Sequence, residues 1–155
     1  MRKLKLYLDT SVISHLQAPD TPEKMTETQT FWEILKTGKY DVVISDVVME
    51  EIERCGEPKR TFMAEQLSEI NPNIVWRNKE AKELAEEYVN KKVLVKKNIA
   101  DCTHIALSVI NRCDYLVSWN FRHLVNVQTI EGVRIVNAVN HYQEIKIVSP
   151  NMFLK

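Results

Sequence analysis

Two rhythms of apolar and polar positions alternate along the chain: short apolar runs, and longer stretches with helical spacing. Leu4-Lys5-Leu6-Tyr7-Leu8 is an apolar-rich run ending at Asp9, which predicts a first strand. A short helix follows through Val12, Ile13 and Leu16, before Pro19. Thr21-Pro22-Glu23 reads as N-cap, first-turn proline and first-turn acid of a helix carrying Met25, Phe31, Trp32 and Leu35 and closed by Gly38. Tyr40-Asp41-Val42-Val43-Ile44 predicts a second strand. Asp46 is read as the cap of a helix through Arg54, and Pro58 as the start of another to about Ile70. Ile74-Val75-Trp76 predicts a third strand. A helix over 79–90 follows, with Leu84, Ala85, Tyr88 and Val89 as its apolar contacts, and Asn98 caps the next, which reaches about Arg112. Tyr115-Leu116-Val117-Ser118 and Val133-Arg134-Ile135-Val136 are read as the fourth and fifth strands.

Strands alternating with helices predict an α/β fold: a central parallel sheet of four to five strands with helices on both faces. No repeat or low-complexity linker interrupts the pattern, so residues 1–155 read as one domain. In such sheets, sites form beyond the carboxyl ends of the strands, near the switch in strand order.

Composition narrows the chemistry. With 45% hydrophobic and 27% charged residues, the 155-residue chain has an ordinary globular balance. The three glycines, Gly38, Gly56 and Gly132, are too dispersed for either glycine-rich phosphate cradle. Cys55, Cys102 and Cys113 are odd in number and lack paired spacing, which argues against a disulfide framework and a thiolate zinc site. Asp9 breaks the first apolar run too early for a signal peptide, and no stretch approaches a membrane span. These features point to a reducing cytoplasm and away from membranes. Lys plus Arg equals Asp plus Glu at 21 each, so only the distribution of charge is informative. Lys91, Lys92, Lys96 and Lys97 cluster in one stretch, read either as a guide for a polyanion or as a solvated helix end and loop.

Asp9 and Asn120 lie at or just past strand ends, and Glu51 and Asp101 lie on helices that begin at the same edge. Val47, Val48 and Ile52 mark the buried stripe of the helix carrying Glu51, which shares their side. Glu50 falls on another face, where Arg54 is four residues away. A carboxylate on the buried side is costly without a partner, so Glu51 needs an explanation that Glu50 does not. Asp101 sits in a first helical turn, where the helix dipole alone is a sufficient reason for an acid and a site role is the alternative. His104, one turn on, is read as a half-buried helix residue in preference to a partner of the acids. His15, His123 and His141 show no ligand spacing, and Asp114 reads as the close of a turn.

If Asp9, Glu51 and Asp101 converge, two carboxylates about 4 Å apart repel by roughly 4 kcal/mol at an effective dielectric near 20. Such a group takes up protons or binds a cation. Its hard oxygens suit Mg²⁺ or Mn²⁺ and not Zn²⁺, and phosphodiester hydrolysis is one use of that metal.

Four segments in order then resemble the PIN-domain family, and within it the VapC-type toxins of toxin–antitoxin pairs. They are Leu6-Tyr7-Leu8-Asp9-Thr10-Ser11-Val12-Ile13, Ile44-Ser45-Asp46-Val47-Val48-Met49-Glu50-Glu51-Ile52, Ile99-Ala100-Asp101-Cys102-Thr103-His104-Ile105-Ala106 and Leu116-Val117-Ser118-Trp119-Asn120-Phe121-Arg122-His123-Leu124. The tail Ile147-Val148-Ser149-Pro150-Asn151-Met152-Phe153-Leu154 also looks like the family's.

The resemblance implies a Mg²⁺- or Mn²⁺-dependent endoribonuclease, with an antitoxin partner in many members and frequent homodimers. It gives Asp9, Glu51 and Asp101 the metal positions. Asn120 takes the fourth, often Asp in the family, where it would orient water or a phosphate oxygen. Thr10 or Ser11 would help to hold the first acid or the substrate. Asn120 departs by removing one negative charge, and His123 stands where an acid is common. A haloacid-dehalogenase-like phosphatase needs a second Asp where Ser11 stands. A PIN domain that binds RNA or protein without turnover is the alternative reading.

Overall fold

A computed structural model describes residues 2–155. Five parallel strands form one sheet in the order β3-β2-β1-β4-β5: β1 (Lys5–Leu8), β2 (Asp41–Ser45), β3 (Asn73–Val75), β4 (Tyr115–Val117) and β5 (Lys146–Val148). Among the described residues, seven α-helices connect them: α1 (Thr10–Ser14), α2 (Pro22–Lys36), α3 (Asp46–Glu53), α4 (Lys59–Ile70), α5 (Lys79–Asn90), α6 (Ile99–Ile110) and α7 (Val127–Val139).

The two sheet faces are covered by different helices, and strand alternation decides which side chain goes where. Tyr7, Val43, Leu116 and Ile147 face a core built with Leu84, Tyr88, Ile105 and Val133 of α5, α6 and α7. Their neighbours Leu6, Leu8, Val42, Ile44, Val117 and Val148 face a second core with Ile13, Phe31, Trp32, Val48 and Met63 of α1 to α4. Both cores leave the central strands with near-continuous apolar sequence, as a doubly covered parallel sheet requires. No helix among the described residues is long and apolar enough to cross a membrane.

The structure departs from the sequence pattern at two places. Val133-Arg134-Ile135-Val136 lies inside α7, where Val133 and Val136 are buried and Ile135 is exposed. That is helical phase, and Asn126 starts the helix by accepting the Thr129 N–H. The fifth strand is instead Lys146–Val148, which overlaps the start of the segment that the sequence marked only as a tail. Second, Ser45 and not Asp46 caps α3, its Oγ accepting the Val48 N–H at 3.4 Å. Asp46 accepts from Arg77 instead, at 2.9 Å to both its backbone and its side-chain nitrogen.

The order of strands places the site. From β1 the chain builds outward to β2 and β3, then returns to the other side of β1 for β4 and β5, so the order reverses between β1 and β4. A crevice opens beyond the carboxyl ends of strands at such a point.

Candidate active site

Asp9 is the first residue past β1, and its N–H still bonds the Val117 carbonyl at 3.2 Å. Extending the β1–β4 register by one residue and the β1–β2 register by two puts Asp9 level with Ser118 and Ser45, a polar row across the three central strands. Asp9 is only 4% exposed. Its Oδ1 accepts from the Ser11 hydroxyl at 2.6 Å and its Oδ2 from the Ser118 hydroxyl. Ser11 Oγ also accepts the Trp119 N–H at 2.9 Å, which ties α1 to the end of β4. Burial drives the Asp9 pKa up; His104 and the two hydroxyls oppose this, Asp101 adds to it, and the net direction is upward.

Glu51 enters from α3. Its Oε1 accepts from Thr10 Oγ1 at 2.6 Å and from His104 Nε2 at 2.8 Å. Burial favours the neutral acid, but the bonds from His104 and Thr10 prevail and its pKa falls below the ordinary value. The carboxylate can only accept, so Nε2 carries the proton whatever the other nitrogen does. His104 Nδ1 meets the Tyr7 hydroxyl at 2.7 Å, and that hydroxyl meets Ser45 Oγ at 2.6 Å. Thus a relay of buried groups runs from the cap of α3 through β1 to Glu51. His104 is 2% exposed, not half-buried: α6 turns it inward against Tyr7 and Glu51. Burial lowers its pKa, but the Glu51 hydrogen bond and the fields of Asp9, Glu51 and Asp101 outweigh that and raise it.

Asp101 stands in the first turn of α6, and its Oδ2 accepts from His123 Nδ1 at 3.1 Å. Burial raises its pKa, with Glu51 adding and His104 and His123 opposing. The helix N-terminus therefore does not account for all of its surroundings. Asn120 follows β4, its N–H donating to Ser118 Oγ and its Oδ1 accepting the His123 N–H, both at 2.9 Å. Its Nδ2 has no protein partner among the described residues.

The chain therefore brings Asp9, Glu51, Asp101 and Asn120 to one edge of the sheet, from β1, α3, α6 and the loop after β4. Asp9 feels the charge of Asp101, and Asp101 that of Glu51. The donor set is all oxygen, and no protein donor among the described residues reaches Glu51 Oε2 or Asp101 Oδ1. Such donors fit a hard divalent cation. Among the described residues, no three His, Cys, Asp or Glu side chains already form a metal-holding cluster. Closing a shell around an ion therefore calls for side-chain movement.

Tyr7, Ser45 and Ser118 lie in this site without having been singled out in the sequence. Their signal is positional: Ser45 and Ser118 follow apolar strand residues at the level of Asp9, which shows only once the register is known.

No protein-family model and no curated protein matches the chain. Among solved structures it is similar to a chain of the crystal structure of VapBC2 from Rickettsia felis bound to a DNA fragment from their promoter. The TM-score is 0.59 at 12% identity, over 94% of this chain and 98% of that one. At that identity the likeness establishes the shared α/β fold.

Proposed function

We propose that this protein is a metal-dependent endoribonuclease that cleaves RNA phosphodiester bonds, and that it is the toxin of a type II toxin–antitoxin pair. The observation that carries the catalytic reading is that Asp9, Glu51 and Asp101 stand at one edge, beside the crevice between β1 and β4, where Asp9 feels the charge of Asp101 and Asp101 that of Glu51. Burial leads in raising the pKa of both aspartates, with Asp101 adding to it at Asp9 and Glu51 at Asp101. The toxin reading rests on the four sequence segments and on the fold shared with the VapBC2 chain. It implies a cytoplasmic protein with an antitoxin as partner, and a homodimer.

In this reading Asp9, Glu51 and Asp101 hold Mg²⁺ or Mn²⁺. Such an ion, when bound, activates water and neutralises charge on the phosphate in flight. Ser11 and Ser118 hold the Asp9 carboxylate in place, and Thr10 and His104 clamp Glu51 through Oε1 while leaving Oε2 free to bind. His123 does the same for Asp101. Asn120, with Oδ1 engaged, presents its amide N–H to orient water or a phosphate oxygen.

The test is cleavage of a mixed structured RNA pool by the wild type and Asp9→Asn in Mn²⁺, Mg²⁺ or EDTA. The expected result is cleavage that needs metal and disappears in the variant. Cleavage that survives the substitution overturns the assignment of this site. A second reading, an RNA- or protein-binding module without turnover, is favoured by Asn120 in place of a fourth acid. Its signature is a folded wild type that cleaves nothing in any metal.

A further inference from the structure

Two neighbouring clefts lie along α5 and α6, and the second reaches His123 beside the acidic edge. One, about 650 Å³, runs between α5 and α6, with Ala85, Val89 and Ile99 contributing apolar lining. The second, about 610 Å³, lies under the segment joining these helices and shares Val89 and Lys96 with the first, so the two form one track. Lys82 and Lys96 line the first; Lys92, Lys96, Lys97 and Arg122 line the second. Glu86 is the one carboxylate in either lining. None of these lysines, nor Arg122, makes an ion pair among the described residues, whereas Arg77, at the end of the track, is held by Asp46 and Glu50. The second cleft ends on Asn98 and on His123, the ring that holds Asp101.

We infer that this track binds the phosphate backbone of single-stranded RNA flanking the scissile bond and delivers it to the acids past His123. The inference rests on the ribonuclease reading for its substrate and adds the route. Unpaired cations along the whole track match the repeating charge of a polynucleotide. The apolar lining suits the faces of bases or ribose, and Asn90, beside it, is a neutral hydrogen-bonding side chain. An extended acidic peptide fits less well, because helix backbones bonded within themselves offer no ladder to such a strand. The Lys91-to-Lys97 stretch is thereby read as a guide for a polyanion, with Lys82 and Arg122 extending it at either end.

The experiment is fluorescence anisotropy of a labelled twelve-nucleotide oligouridylate with the Asp9→Asn protein, in which binding is read without cleavage. Adding Lys82→Glu and Lys96→Glu is expected to weaken binding at least tenfold. The log–log salt slope should fall by about 1.4, roughly 0.7 for each lost phosphate contact on a single strand. Lys82→Gln with Lys96→Gln, a milder pair, should produce the same loss of slope with a smaller loss of affinity. Lys3→Glu with Lys39→Glu, placed just before β1 and β2 at the opposite edge of the sheet, should change neither. Equal weakening by the Lys3 and Lys39 pair, or none by the cleft pairs, overturns the inference. So does cleft-dependent capture of a labelled oligoglutamate when oligouridylate binding is indifferent to the cleft, which would assign the track to an acidic protein segment. Cleft-dependent RNA binding by a wild type that cleaves no RNA would leave the track standing and remove the nuclease.

Discussion

His104 Nε2 donates to Glu51 Oε1 at 2.8 Å, while its other nitrogen meets Tyr7, so one buried ring joins α6, α3 and β1. It binds the carboxylate through one oxygen and leaves the other free, the arrangement by which a neighbouring donor aims a ligand. The ring therefore has a structural duty and an orienting one. Replacing it tests the first. His104→Ala leaves a cavity, an unpaired Tyr7 hydroxyl and an unpartnered Glu51, and should lower unfolding free energy by about 3 kcal/mol. Tyr7→Phe should cost about 1–2 kcal/mol. The two should be coupled in a double-mutant cycle by more than about 0.5 kcal/mol, because they share a hydrogen bond. Urea denaturation measures all three, and additive effects would show that the relay is not a unit.

Asp9 should trade stability for site chemistry. Its folded pKa is raised above the unfolded value, so the stability it contributes is present at low pH and lost as pH rises through the folded pKa. At neutral pH the buried charge is a net cost. Asp9→Asn removes it while Ser11 and Ser118 can reorient their hydroxyls, and should raise Tm at pH 7, each kcal/mol being worth about 2–4 °C at this size. Mg²⁺ should raise the Tm of the wild type and not of the variant. Scanning calorimetry with and without Mg²⁺ reads both, and a lower Tm for Asp9→Asn would refute the cost.

Asp114 has the opposite sign. Its carboxylate accepts from both terminal guanidinium nitrogens of Arg2 and from the Lys5 N–H at 2.7 Å, and the Arg2 hydrogen bond leads in holding its pKa down. Its contribution is therefore present above the unfolded pKa and lost as pH falls through the folded one. Asp114→Asn should cost about 1 kcal/mol at pH 7, most of it from the partly buried Lys5 bond, since solvent screens the Arg2 side. The difference from wild type should vanish in acid. Urea titrations at both extremes check the sign.

Gly132 in α7 meets Val93 so closely that an added Cβ would lie 3.0 Å from one Val93 methyl and 3.2 Å from the other. Gly132→Ala should therefore gain little or lose stability in the wild type. In a Val93→Ala background the ordinary helix gain of about 1 kcal/mol should return. Equal Tm changes in both backgrounds would contradict this contact.

Much of the fold is legible in the sequence because short apolar runs and helical spacing are local signals. Pro22 opens α2 and positive-φ Gly38 follows its end, as their chemistry requires, whereas Thr21 takes the N-cap position without capping: its hydroxyl donates to the Ala18 carbonyl. The failure at Val133 to Val136 has a local cause: β-branched residues at both buried positions mimic a strand, and tertiary packing selects the helix. Asp9, Glu51, Asp101 and Asn120 share one edge as expected, because strand ends and helix phase are readable. His104 is not readable in this way. Its burial depends on Tyr7 and Ser45, 97 and 59 residues away in sequence, and only the sheet register brings them together.

On the proposed function, Asp9, Glu51 and Asp101, three carboxylates from three elements, act as one catalytic site. The most direct measurement is the cleavage rate of one RNA pool in Mn²⁺ by Asp9→Asn, Glu51→Gln and Asp101→Asn, each verified as folded, beside Glu50→Gln. Glu50 is adjacent in sequence, yet it faces Arg77 at the surface instead of the crevice. Loss of at least a hundredfold in all three site variants with Glu50→Gln near wild type is the predicted result. Activity retained in any one of the three, or lost equally in Glu50→Gln, would contradict it.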